Sequence, residues 1–149
     1  MSSRHTNDPY INRTIFKIYH IQKRIGKGSF GTVYQGVITK EGDEQNNSNH
    51  SRFAKNEKVA IKIEKREKND PGTLETEAYR LVYLQGEGIP KIYCYGSNRS
   101  HNLLVEELLG KSLEEIFNSC NKKFSLKTVG LLGIEMVKRI QFVHERNHI

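Results

Sequence analysis

Apolar and polar positions change period along this chain, and the changes mark its elements. From Lys17 to Ile25 (KIYHIQKRI) the two alternate through Ile18 and then run into glycines, the pattern of a half-buried strand. Residues 32–38 (TVYQGVI) form a second run returning from those glycines. Residues 58–64 (KVAIKIE) form a third, short and apolar around one lysine. Beyond Pro71 and Gly72 the period lengthens. Thr73 or Thr76 is placed to cap a helix reaching about Gln85, with Leu74, Ala78, Leu81, Val82 and Leu84 on one apolar face. Gly86, Gly88 and Pro90 end it. Residues 91–95 and 102–107 predict two more strands, joined by a polar turn from Ser97 to Ser100. Ser112 caps a short helix through Phe117, and Val129, Leu132, Met136, Ile140 and Val143 recur at helical spacing in a long helix from about Ser125 to Arg146.

The order is three strands, a helix, two strands, then helices. It predicts an α+β fold, a five-stranded antiparallel sheet with one packed helix, and excludes a doubly wound parallel sheet. Residues 1–14 are polar and read as a disordered or loosely held tail. Residues 39–57 carry turn formers (Gly42, Asp43, Asn46, Asn47, Ser48) without apolar periodicity, and predict a flexible insertion.

Composition narrows the function classes. The 149 residues carry a formal net charge of +7, which favours anionic partners such as phosphates or acidic peptides. Lys65, Arg66 and Lys68 are interrupted by Glu64, Glu67 and Asp70, the mark of a solvated surface, and no aromatic residues interleave with a basic stripe. Nucleic acid is therefore not an expected partner. No apolar run approaches the roughly 20 residues that span a bilayer, and Met1 to Arg13 holds no apolar signal core, so neither a membrane nor export is expected. Cys94 and Cys120 lie far apart without metal-ligand spacing, and are expected as buried free thiols of a reducing compartment.

The candidate chemistry sits at the first turn. Gly26-Lys27-Gly28-Ser29-Phe30-Gly31-Thr32-Val33 has the spacing G-x-G-x-x-G-x-V. Backbone that closes over phosphates needs positions without a Cβ. A dinucleotide-binding turn would lead into a helix; here a strand follows, which suits a flap over a nucleotide, or simply a hairpin turn. In Val59-Ala60-Ile61-Lys62 a lysine stands among apolar neighbours, where an ammonium needs an anionic partner. Glu77 and Glu75 in the following helix are candidates, and helix phase alone does not separate them.

Together these motifs are the signature of eukaryotic protein kinases. From about Ile18 to its last residue the chain resembles that domain, and most closely the casein kinase I family. IGKGSFGTVY, VAIKIE, GEGIPKIY, the ELLGKSLEEIF segment from Glu107 to Phe117, and KKFSLKTV carry the resemblance. Counting back from Gln85 in LVYLQ places the family's helix glutamate at Glu77. The resemblance implies a kinase N-lobe over residues 15–109 and the first helices of an incomplete C-lobe over 110–149. It implies ATP as cofactor, contacted by the loop residues Gly26, Lys27, Gly28, Ser29, Phe30, Gly31 and Thr32, with Ile25, Val33 and Ala60 packing on the adenine. Lys62 would contact the α- and β-phosphates, paired to Glu77, and Glu107, Leu108 and Leu109 would form the hinge whose backbone meets the adenine edge. In the whole protein it implies transfer of the γ-phosphate to Ser or Thr in acidic or phosphorylated contexts. It also implies a monomer, working in the cytoplasm, the nucleus or both.

The sequence departs from the family at three places. The connection between the second and third strands is longer. Glu106 stands where the family usually has a medium apolar residue; it either pairs, with Lys62 for instance, or turns outward at a strand irregularity. The chain ends at Asn147-His148-Ile149, where the family's His-Arg-Asp segment would follow, so the catalytic base and the Mg2+ ligands are expected beyond it. No Asp follows Asp70, and His144 and His148 have no third ligand and read as exposed or packing residues. The chain alone is expected to be inactive; the alternative is a non-catalytic module that binds nucleotide or protein.

Overall fold

A computed structural model describes residues 8–28, 31–40, 54–66 and 72–148. Two compact units emerge, Met1–Tyr83 with Pro90–Leu108, and Leu84–Ile89 with Leu109–Ile149.

The first unit is an antiparallel sheet in the order β1-β2-β3-β4-β6-β5. Its strands are β1 (Thr14–Ile15), β2 (Tyr19–Gly28), β3 (Gly31–Ile38), β4 (Lys58–Lys65), β5 (Ile92–Ser97) and β6 (His101–Glu107), with helix α1 (Leu74–Leu84) between β4 and β5. Six strands replace the expected five. The addition is β1, whose Thr14 and Ile15 pair with His20 and Tyr19. Two residues are too few to show a period, so only pairing reveals the strand.

Strand period separates the two faces. Tyr34 lies opposite Ile61, and Ile61 opposite Val105. These residues join Tyr19, Ile21 and Ile38 in the larger core. Tyr10, Ile11, Ile15 and Ile18 pack over that core. The Tyr34 hydroxyl donates to Asp8 Oδ1 at 3.0 Å, and Tyr10 Oη lies 2.6 Å from His101 Nε2. Burial, and then the bond to Asp8, push the Tyr34 phenol up to about 12. Residues 8–14, expected within a loose tail, thus line the back of the sheet. The polar composition concealed that Tyr10 and Ile11 are the two that pack, and residues 1–7 lie outside the described residues.

On the opposite face Leu74 and Ala78 of α1 pack on Leu104, flanked by Leu81, Ile92 and Tyr95. Full burial of a side chain like Leu74 or Leu104 contributes about 1.5–3 kcal/mol, so this small cluster is enough to seat α1. Ala60, Lys62 and Glu64 of β4 share this face, because their neighbours Val59, Ile61 and Ile63 belong to the other core. Most of the insertion expected at 39–57 lies outside the described residues.

The second unit holds α2 (Leu113–Ser119) and α3 (Leu126–His144). Ser112 begins α2 with a capping box: its hydroxyl accepts from the Glu115 amide, and the Glu115 carboxylate accepts from the Ser112 amide. Ser125 caps α3 through the Thr128 amide. Arg139 of α3 donates to the Glu87 carbonyl and carboxylate, and the Gly86 backbone passes against the Phe142 ring. Neither helix has a buried residue, and Leu126 and Val137 are among the exposed apolar side chains. Cys120, expected to be buried, is exposed at the C-cap of α2, whereas burial pushes the half-buried Cys94 thiol up to about 11. Among the described residues no helix is long and apolar enough to cross a membrane.

Candidate functional site

Lys62 projects from β4 between Ala60 and Glu64, and its Nζ donates to Glu77 Oε1 of α1 at 2.5 Å. The two side chains keep 22% and 35% of their surface exposed. Such a pair is better shielded than a surface ion pair, for which about 0–1 kcal/mol is usual. At 100° per residue Glu75 and Glu77 flank opposite sides of the Leu74–Ala78–Leu81 stripe. The direction in which α1 docks therefore chooses between them, and it turns Glu77 to Lys62 while Glu75 stays exposed.

Beside this pair lies the β2–β3 hairpin. Gly28 pairs with Gly31, Lys27 with Thr32 and Gly26 with Val33; Val33 in turn lies opposite Lys62. The register of the hairpin thus brings the glycine segment to the lysine strand. Ser29 and Phe30, also expected at the site, lie outside the described residues. Ile25 falls at a register shift between Arg24 and Gly26 and is 46% exposed. The glycines differ in what requires them. Among the described residues a Cβ on Gly28 would meet nothing within 4 Å, and one on Gly26 only Val33 Cβ at 3.8 Å. A Cβ on Gly31, whose φ is +128°, would stand 2.4 Å from the Ile63 carbonyl oxygen. Gly31 is demanded by the fold; no contact among the described residues demands Gly26 or Gly28.

Glu106 closes the site from β6. It pairs with Ala60 in a β4–β6 register that runs without a shift from Val59 to Lys65. It therefore stays on the Lys62 face, and the outward turn at a strand irregularity does not occur. Burial raises its carboxyl above the ordinary range; Lys62 opposes this and Glu77 adds to it. A raised carboxyl pKa favours the folded state at low pH. That advantage is lost as pH rises from the unfolded value through the folded one. Replacing Glu106 by leucine should therefore stabilise the chain at pH 7 and much less at pH 4. Urea denaturation at the two pH values checks this, and an equal effect at both would remove the buried charge as its cause.

Glu107 ends β6, its amide donating to the Lys91 carbonyl at 2.8 Å. Leu108 follows half-buried, and Leu109 is exposed at the start of the second unit. Glu64, expected from the sequence among the charges of a solvated surface, is buried instead, and its part in the site went unseen. It is only 7% exposed, and its carboxylate accepts from the Thr73 and Leu74 amides where α1 begins. Burial works to raise its pKa, but hydrogen bonds from Asn102, Thr73 and Leu74 outweigh it and hold the group below the ordinary range. The available signal was its place two residues after Lys62, on the same strand face. Thr73 or Thr76 was the expected cap; Thr73 holds the position before Leu74, its carbonyl accepting from the Glu77 amide, while its hydroxyl donates to Glu64. Among the described residues no group of three His, Cys, Asp or Glu could hold a metal. His144 is exposed, and His148 Nδ1 lies 3.4 Å from the Arg146 carbonyl.

Residues 19–149 match the family described as protein tyrosine and serine/threonine kinase. Casein kinase I homolog 3 of Schizosaccharomyces pombe is 40% identical over 132 residues, covering 88% of this chain. The chain spans 27% of the length of that curated relative.

Proposed function

Because this chain belongs to the protein tyrosine and serine/threonine kinase family, we propose that its first unit is the nucleotide-binding lobe of a Ser/Thr kinase of casein kinase I type. The whole protein would transfer the γ-phosphate of ATP to protein Ser or Thr in acidic or phosphorylated contexts, within the cytoplasm or nucleus. One observation supports this above the others: the Lys62–Glu77 pair stands beside a hairpin whose Gly26 and Gly28 no contact among the described residues explains.

The chemistry follows from these residues. Glu77 holds the Lys62 ammonium in place, so that little side-chain entropy is lost when it meets the α- and β-phosphates. Gly26 and Gly28 let backbone amides approach those phosphates. Ala60, Val33 and Ile25 offer apolar surface to the adenine, and the backbone from Glu107 to Leu109 offers hydrogen bonds to its edge. Phosphoryl transfer also needs metal ligands and a group to orient the acceptor hydroxyl. The described residues offer no carboxylate set for Mg2+, so no transfer step is assigned to them.

Titrating the purified chain with ATP tests this. Saturable binding in the millimolar range, about −4 kcal/mol, is expected without turnover. Phosphate transfer that persists through contaminant controls would contradict it, as would no binding at all. A non-catalytic binding module is the second possibility, favoured by Glu106, whose charge competes for Lys62. If Glu106 keeps nucleotide out, the unmodified chain should bind no ATP and Glu106→Leu should bring binding into range; in the kinase lobe the unmodified chain already binds, and Glu106→Leu tightens it.

A further inference from the structure

We propose that Glu64 and Asn102 are positioning residues, which lock α1 to β4 and so hold Glu77 within reach of Lys62. The inference deepens the nucleotide-site proposal and rests on it for its effect on ATP.

Each Glu64 oxygen is doubly engaged. Oε1 accepts from the Thr73 amide at 2.8 Å and the Thr73 hydroxyl at 2.9 Å. Oε2 accepts from the Leu74 amide at 3.1 Å and Asn102 Nδ2 at 2.9 Å. Asn102 is fully buried and lies opposite Glu64 in the β4–β6 register, and the Tyr95 hydroxyl reaches its Oδ1 at 3.4 Å. Gly72 is shaped for the same contact: with φ at +83°, a Cβ there would fall 2.2 Å from Glu64 Oε2. A charge so deeply buried is tolerated only because these donors surround it.

The connectivity gives the cluster its consequence. Glu64 and Lys62 point from the same face of β4, two residues apart. Glu64 grips Thr73 and Leu74, and the Glu77 amide donates to the Thr73 carbonyl at 3.0 Å, one helical turn on. Glu77 then returns to Lys62. The loop closes through two carboxylates, one helical turn and one strand. The carboxylate at the start of α1 also opposes the positive end of the helix dipole. A tilt of α1 away from β4 must break the Glu64 bonds as it lengthens the Lys62–Glu77 distance. A side chain that merely capped the helix would not have to sit on the lysine's own strand.

The test is a set of double-mutant cycles on the full 149-residue chain, in backgrounds carrying Glu64, Glu64→Gln or, as a milder change, Asn102→Ser. With Glu64 present, Glu77→Gln should weaken ATP binding about tenfold; in either variant background it should change affinity less than about twofold, since the pair is already uncoupled. The double variant Glu64→Gln/Asn102→Asp, which returns a carboxylate to the cluster, should restore part of the Glu77 effect. A purely structural Glu64 would lower the denaturation midpoint and leave the tenfold effect intact, which would overturn the proposal. Coupling between Lys62→Met and Glu77→Gln is read in parallel from urea denaturation, without nucleotide. If the chain binds no ATP, the nucleotide site fails alone. Loss of that coupling in the Glu64→Gln background then supports the positioning role, and its persistence refutes it.

Discussion

Lys62→Met is expected to weaken ATP binding sharply while leaving the sheet folded. Methionine keeps most of the apolar stem that lies beside Ala60 and removes the ammonium. Hydrogen bonds to charged groups contribute about 1.5–3 kcal/mol, which corresponds to a loss of roughly 10- to 150-fold in affinity. Starting from the millimolar range, a loss near the upper end of that span carries the complex beyond ordinary titration, whereas a tenfold loss can still be read. The fold should tolerate the change, because Glu77 keeps 35% of its side chain exposed and can rehydrate once unpaired. Its carboxylate is not the uncompensated buried charge that makes broken interior pairs so costly. NMR titration with ATP, together with a urea denaturation curve, separates the two effects. Unchanged affinity would show that the nucleotide does not meet this lysine, whatever the family.

The second large effect is on stability, and it divides glycines that the motif treats alike. Gly31→Ala drives a Cβ into steric overlap with the Ile63 carbonyl oxygen, at a backbone angle that L-residues rarely adopt. Backbone strain of this kind costs about 1–3 kcal/mol, and displacement of β4 adds to it. For a domain of this size each kcal/mol lowers the melting temperature by about 2–8 °C. Gly28→Ala meets nothing among the described residues and should shift stability by less than about 1 kcal/mol, yet weaken ATP binding if phosphates approach that backbone. Thermal melts and ATP titration of the two variants should therefore give crossed results. A destabilised Gly28→Ala beside a stable Gly31→Ala would contradict the hairpin register.

Much of this was legible along the chain because it is local. Strand alternation, the glycine spacing, the apolar run around Lys62 and the Ser112 and Ser125 caps depend on neighbours a few residues apart. The observed elements begin and end close to the expected ones. The candidates Lys62, Glu77, Gly26, Gly28 and Gly31 were likewise visible as residue types at a spacing. What escaped inspection involves distant partners. Tyr10 and Ile11 look like part of a polar tail until the face they cover is known, and β1 is too short to announce itself. Glu64 reads as one more charge at the end of a strand until Asn102, 38 residues on, is seen to donate to it.

The sequence by itself determined the order of strands and helices and the kind of chemistry at the first hairpin, since period, caps and glycine spacing are properties of adjacent residues. For Glu77 over Glu75, which the family resemblance had already picked, the tertiary structure supplied the physical reason, the docking of α1; it alone decided that Glu106 stays on the inner face and that Gly31 serves packing. Each of these depends on register or docking direction, which is set by contacts between segments far apart in the chain.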